Sequence, residues 1–125
     1  MVLEMINIGV DIEDIERFSK LDVKKNKNFF KKIYTEKEIE YCLLKANPYP
    51  HFAVRFAGKE AVIKVLSAFG EKICPHEIEI LNNKNGVPYV NLKNEKLKIY
   101  KFCISLSHCK DKAIAFSLGL KNGGN

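Results

Sequence analysis

Between His51 and Phe69 apolar residues fill nearly every direction of a helical wheel: Phe52, Phe56, Ile63 and Leu66 on one side, Val54, Ala61, Val62, Val65 and Phe69 on the others. At about 3.6 residues per turn this pattern predicts a long, mostly buried central helix, entered after Pro50 and closed by Gly70. Glu60 and Lys64 interrupt it one turn apart on a single stripe. Ala53 and Ala57 beside them are small, which leaves room against the carboxylate. On a solvated helix such a pair contributes only about 0.2–0.5 kcal/mol. Here little polar face remains, and charged side chains are seldom buried without partners, so the stripe points to a site.

The other elements follow from the same reading. Ile6, Ile8, Val10 and Ile12 alternate with Asn7, Gly9 and Asp11, which predicts a strand whose apolar set faces the core. Asp11 then lies on the opposite face, beside the open space at Gly9. Residues 12–20 fit a short amphipathic helix, followed by a lysine-rich stretch anchored by Phe29, Phe30, Ile33 and Tyr34. Thr35 and Glu38 have the spacing of a capping box and start a helix over 36–45, which Asn47-Pro48-Tyr49-Pro50 ends.

Past Gly70 the period becomes two. Strands at 78–81 and 87–92 flank an Asn85-Gly86 turn, and Pro88 confines its strand to an edge or a late start. Residues 102–106 and 113–118 form a hairpin with His108 at its mouth. The chain therefore predicts one α+β domain over residues 1–120, an antiparallel sheet packed on a long central helix, with the first strand able to join the later sheet. A flexible tail is expected at 121–125.

Composition narrows the classes. A chain of 125 residues is long enough for a core that buries about two-thirds of its unfolded surface. No apolar run approaches the roughly 18 residues of a membrane span, and the first twelve residues carry acids where a secretory signal carries bases. A cytoplasmic protein is expected. Cys42, Cys74, Cys103 and Cys109 lack zinc-site spacing and disulfide density. The formal charge of +6 calls for an anionic partner, and its basic part is concentrated in Arg17, Lys20, Lys24, Lys25, Lys27, Lys31 and Lys32.

Asp11 and Glu60, without neighbouring His or Cys ligands, suit a hard cation held by oxygen, which favours Mg²⁺ over zinc. A lysine one turn beyond a metal carboxylate can meet a phosphate or protonate a leaving oxygen. Together they point to metal-assisted phosphoryl chemistry. A small basic nucleic-acid-binding domain is the alternative, resting on net charge and on Phe29, Phe30 and Tyr34 among lysines.

Four segments in order, Ile8-Gly9-Val10-Asp11-Ile12, Arg55-Phe56-Ala57-Gly58-Lys59-Glu60-Ala61 with Lys64, Asn85-Gly86-Val87-Pro88, and Ser105-Leu106-Ser107-His108 followed by Ala113, resemble the motifs of the holo-[acyl-carrier-protein] synthases. These are the small, single-domain branch of the 4'-phosphopantetheinyl transferases, and the resemblance runs over nearly the whole chain. It implies that fold, and an Mg²⁺-dependent transfer of 4'-phosphopantetheine from coenzyme A to a serine of apo acyl carrier protein, releasing adenosine 3',5'-bisphosphate, in fatty acid biosynthesis. It implies Asp11 and Glu60 as metal carboxylates and Glu60 and Lys64 as the catalytic pair. Arg55, Lys64, Gly86, Pro88, Ser107 and His108, with Ser105, would bind coenzyme A, and Arg17, Lys20 and Lys24 would dock the carrier protein. A homotrimer with active sites between subunits is likewise an implication of the resemblance. Three departures stand out: Gly58 where alanine is frequent, Val87 where lysine is frequent, and Cys109 in place of a hydroxyl residue.

Overall fold

The computed structural model describes residues 5–121. Its centre is a helix, α4 (Tyr49–Ala68), with Pro50 in the first turn. The helix stops at Gly70, whose φ of 86° allows Gly70 N–H to reach the Ser67 carbonyl at 2.9 Å and Glu71 N–H to reach the Leu66 carbonyl at 2.8 Å. This is a Schellman ending, open to glycine because its left-handed backbone carries no Cβ penalty.

Three shorter helices precede it: α1 (Ile15–Ser19), α2 (Lys27–Ile33) and α3 (Glu36–Leu43). At the start of α3 the capping box is complete, Thr35 N–H donating to Glu38 Oε1 at 2.9 Å and Glu38 N–H to Thr35 Oγ1 at 3.3 Å. The lysine-rich stretch is helical rather than irregular, with Phe30 inside.

Five strands complete the chain: β1 (Ile6–Asp14), β2 (Ile78–Asn82), β3 (Pro88–Leu92), β4 (Tyr100–His108) and β5 (Lys112–Lys121). They form an antiparallel sheet of order β1-β5-β4 and a separate β2-β3 hairpin. The first strand does join the later sheet. Lys121, read from the sequence as the first residue of a flexible tail, closes β5; residues 122–125 lie outside the described residues.

The main correction concerns β1. Ile8, Val10 and Ile12 are exposed at 61%, 50% and 59%, whereas Gly9 is buried. The inner face is the one bearing Asn7, Gly9, Asp11 and Glu13, paired in register with Gly119, Ser117, Ala115 and Ala113 of β5. Facing them across the interface are Ala57 and Ala61 of α4, fully buried with Ala115. Small residues on both partners let the helix backbone press against the sheet, and the bulky side chains are displaced outward. A Cβ at Gly9 would overlap the Ala61 carbonyl oxygen and come within 3.2 Å of Lys64 Cβ. The glycine therefore leaves no open space beside Asp11, and Ala53 and Ala57 are packed rather than lining a hollow.

Gly9→Ala is accordingly expected to destabilise the fold by about 2–3 kcal/mol, a typical cost of overpacking. Denaturant unfolding checks it, and a variant as stable as the parent would refute this close approach. Bulky cores lie on either side of the small-residue spine. Phe18, Phe30, Tyr34 and Phe52 fill one and Val62, Leu66, Ile78, Ile80 and Leu92 the other. Gly58 also has a packing reason, because a Cβ there would lie 2.6 Å from Ile80 Cδ1.

Candidate functional site

Asp11 on β1 and Glu60 and Lys64 on α4 do meet. Lys64 Nζ lies 3.6 Å from Asp11 Oδ1 and donates to the Val10 carbonyl at 2.7 Å. Burial pushes the Glu60 carboxyl above its usual range, and the Asp11 charge pushes it further. A third acid, Glu13, joins them. Burial, then a hydrogen bond and the charge of Asp11, raise its carboxyl to about 7, against the opposing pull of Arg17. The sequence reading gave Glu13 no role; its place two residues beyond Asp11, on the same face of a strand, is the signal that could have found it.

These acids fit a divalent cation. Asp11 Oδ2 is buried with no hydrogen-bond partner, and the mutual repulsion of the carboxylates is what a bound positive ion relieves. No three His, Cys, Asp or Glu side chains among the described residues form a closed cage. The protein would thus supply one or two carboxylates and leave the remaining positions to water and phosphate, the habit of Mg²⁺. Glu60 is half-buried and the Lys64 side chain is 55% exposed, so the pair stands at the edge of the helix rather than in its core.

The charges buried on α4 are instead Arg55 and Lys59, at 2% and 1% exposure. Lys59 pairs with the fully buried Glu38 at 2.7 Å and donates to the carbonyls of Pro75 and Ile78. Glu38 Oε2 also accepts from Ile80 N–H at 2.8 Å, so a residue read only as half of a capping box ties α3, α4 and β2 together. Lys59 has a structural task.

Arg55 has a different one. Its Nε donates to the Ile80 carbonyl at 3.2 Å and its Nη2 to Asn82 Oδ1 at 2.7 Å, while Asn82 Nδ2 reaches the Gly86 carbonyl at 3.1 Å. The guanidinium packs 4.2 Å from the Tyr41 ring centre. No carboxylate pairs with it among the described residues. It borders a cavity of about 180 Å³ together with Tyr41, His51, Asn82, Gly86, Pro88 and His108. Arg55, Gly86, Pro88 and His108, all singled out from the sequence, are thus gathered in one place. Gly86 holds φ at 80° in the β2-β3 turn, a conformation that favours glycine.

Ser105 and Ser107 are not with them. They project from the outer face of the sheet, opposite Phe116 and Ile114, while His108 belongs to the inner face. Arg17, Lys20 and Lys24 lie on or just after α1. Arg17 pairs with Glu13 at 3.0 Å and rests 5.0 Å from the Phe56 ring centre, and Lys20 pairs with Glu16 at 3.0 Å. Of the aromatics that favoured nucleic acid, Phe30 and Tyr34 are core, 1% and 2% exposed and packed on Phe52, and the partly buried Phe29 sets its ring edge-on to Phe30. No base could stack on Phe30 or Tyr34, which removes most of the structural support for that alternative.

Comparisons with known proteins bear on the family and the fold. A family model described as the 4'-phosphopantetheinyl transferase superfamily matches residues 7–117. The holo-[acyl-carrier-protein] synthase of Thermodesulfovibrio yellowstonii is 44% identical over 109 residues, 87% of this chain and 93% of the relative. That of Chlamydia felis is 43% identical over 122 residues, 94% and 99% of the two chains. Among solved structures, the synthase of Helicobacter pylori in complex with coenzyme A aligns with a TM-score of 0.76 at 29% identity, covering 89% of this chain and 97% of that one. A complex described as Chronobacterium ammoniagenes ACPS-CoA aligns with a TM-score of 0.78 at 25% identity, covering 93% and 97%. With the family model spanning most of its length and close relatives matching nearly end to end, this chain belongs to the 4'-phosphopantetheinyl transferase superfamily.

Proposed function

We propose that the chain is a holo-[acyl-carrier-protein] synthase, moving 4'-phosphopantetheine from coenzyme A onto a serine of apo acyl carrier protein. The observation that carries the reading is the meeting of Asp11, Glu60 and Lys64, brought from a strand and a helix far apart in sequence to one rim. An Mg²⁺ ion held by Asp11 and Glu60 would supply charge neutralisation for the diphosphate. Glu60, whose carboxyl is raised by burial and by Asp11, takes the proton from the serine hydroxyl. The serine oxygen then bonds to the phosphorus that bears pantetheine, the bond from that phosphorus to the bridging oxygen breaks, and adenosine 3',5'-bisphosphate leaves. Lys64 turns from the Val10 carbonyl to the departing oxygen and stabilises its charge. Fixed donors of this kind need no solvent reorganisation at the moment of transfer.

The Arg55 cavity takes the nucleotide end of coenzyme A in this reading, with Gly86 and Pro88 shaping the turn beside it. Along α4, Arg55 and Glu60 are separated by about 140° of rotation and about 7.5 Å of rise. The two halves therefore look away from each other in one chain, and a site assembled between neighbouring subunits brings them onto one ligand. The exposed apolar face of β1 and β5 gives those subunits a surface to share, and a homotrimer is the assembly we propose. There Ser105 and Ser107, on the same outer face, would meet the ligand from across the interface. The reducing cytoplasm suits a chain whose Cys74, Cys103 and Cys109 are exposed free thiols.

Mixing the protein with coenzyme A, Mg²⁺ and apo acyl carrier protein and weighing the carrier by mass spectrometry tests the function. A gain of the phosphopantetheine mass is expected, and none under varied metal and pH would overturn it. Arg17, Lys20 and Lys24 form the proposed docking face for the acidic carrier. Reversing Arg17 and Lys24 to glutamate is expected to raise KM for the carrier at least about tenfold at low salt, because such charges act on encounter and orientation. An unchanged KM would dismiss this face.

A further inference from the structure

Tyr41 and His51 take no part in the transfer chemistry, yet they build one wall of the Arg55 cavity. The His51 ring stands 6.0 Å from Tyr41 and 5.8 Å from His108, steeply inclined to both. Tyr41 itself carries two cations, with Arg55 at 4.2 Å and Lys45 Nζ at 4.6 Å from its ring centre. The charged and titratable groups facing His51 are Arg55 on α4, Tyr41 on α3, Lys45 just after it and His108 on β4. All of them are cationic or neutral, and the cavity lining includes no carboxylate among the described residues. A buried guanidinium without a counter-ion and two imidazoles turned toward one space make a receptor for an anion.

The anion can be specified, on the reading that coenzyme A is the substrate. Its diphosphate belongs with Lys64 and the carboxylate rim. The phosphate left over is the monoester on the ribose, which is mostly a dianion at neutral pH because its second pKa is about 6. We propose that His51, held against Tyr41 and facing His108, is a specificity-determining donor to this ribose phosphate, becoming protonated as the ligand binds, so that the protein selects coenzyme A over 3'-dephospho-coenzyme A. Burial, followed by the charges of Arg55, Lys45 and His108, holds the imidazole below its ordinary range in the free protein. It is therefore neutral at pH 7 until a dianion offsets those charges, and binding takes up a proton.

Isothermal titration of the parent, His51→Ala and His51→Gln with coenzyme A and with 3'-dephospho-coenzyme A, at pH 7 in buffers of different ionisation enthalpy, tests the assignment. The parent is expected to prefer coenzyme A and to take up protons with it, but not with the dephospho form. His51→Ala is expected to weaken coenzyme A about tenfold, as for loss of a charged hydrogen bond, and to leave the dephospho form unchanged. His51→Gln, which keeps a donor without the charge, should recover part of the preference with no proton uptake. Equal weakening of both ligands by His51→Ala, or undiminished proton uptake, would overturn the assignment. A parent that transfers phosphopantetheine but shows no preference overturns the role of His51 alone, whereas one that binds neither form overturns the coenzyme A reading with it.

Discussion

Glu60→Gln is expected to fold as the parent does and to lose transfer by roughly a thousandfold, the range found when a positioned acid–base group is removed. The two halves of this expectation come from the same geometry. Burial and Asp11 already disfavour the Glu60 charge in the folded chain, so the amide removes a repulsion rather than a support. Thermal stability should stay level or rise. The chemistry loses both a proton acceptor and one of two carboxylates suited to a cation. Single-turnover transfer to apo carrier, measured beside a melting curve, separates these effects. Activity within a few fold of the parent would take Glu60 out of the reaction, and a large drop in melting temperature would make it a structural residue instead.

The second large effect concerns the sheet. Ile8, Val10, Ile12, Ile114, Phe116 and Leu120 stand on the outer face of β1 and β5, each at least 40% exposed. The register places Val10 opposite Phe116 and Ile12 opposite Ile114, so they form one continuous patch. Monomeric proteins seldom leave such a surface bare. The paired substitution Val10→Lys with Phe116→Lys puts two charges at its centre, on the face opposite Gly9 and Ala115. For the proposed homotrimer it is expected to leave the circular dichroism spectrum unchanged, give a monomer in sedimentation, and reduce transfer at least about a hundredfold, because burying unpaired charge costs several kcal/mol per group and the two halves of the proposed site then separate. A parent that is itself monomeric and fully active would overturn this, as would a double variant that keeps the parent's assembled mass.

What the sequence could determine alone was whatever neighbouring residues decide among themselves. The Thr35–Glu38 capping box, the glycine ending of α4 and the Asn85-Gly86 turn were legible because each rests on contacts a few residues apart. The groups proposed to react were legible for another reason: Asp11, Glu60 and Lys64 stand in motifs whose order and spacing resemble a family's. Tertiary structure decided which face of β1 is inside. Alternation marks two faces without saying which is covered, and the usual guess that bulk goes inward fails where Gly9, Ala57, Ala61 and Ala115 let a helix lie directly on a sheet. Likewise, helical periodicity does not tell Lys59 from Arg55, both being basic residues on one helix, and only the family resemblance singled out Arg55. Only the packing of α3 and β2 gave Lys59 a carboxylate in Glu38 and left Arg55 without one among the described residues, and that difference makes one a structural tie and the other the edge of the cavity proposed to receive an anion.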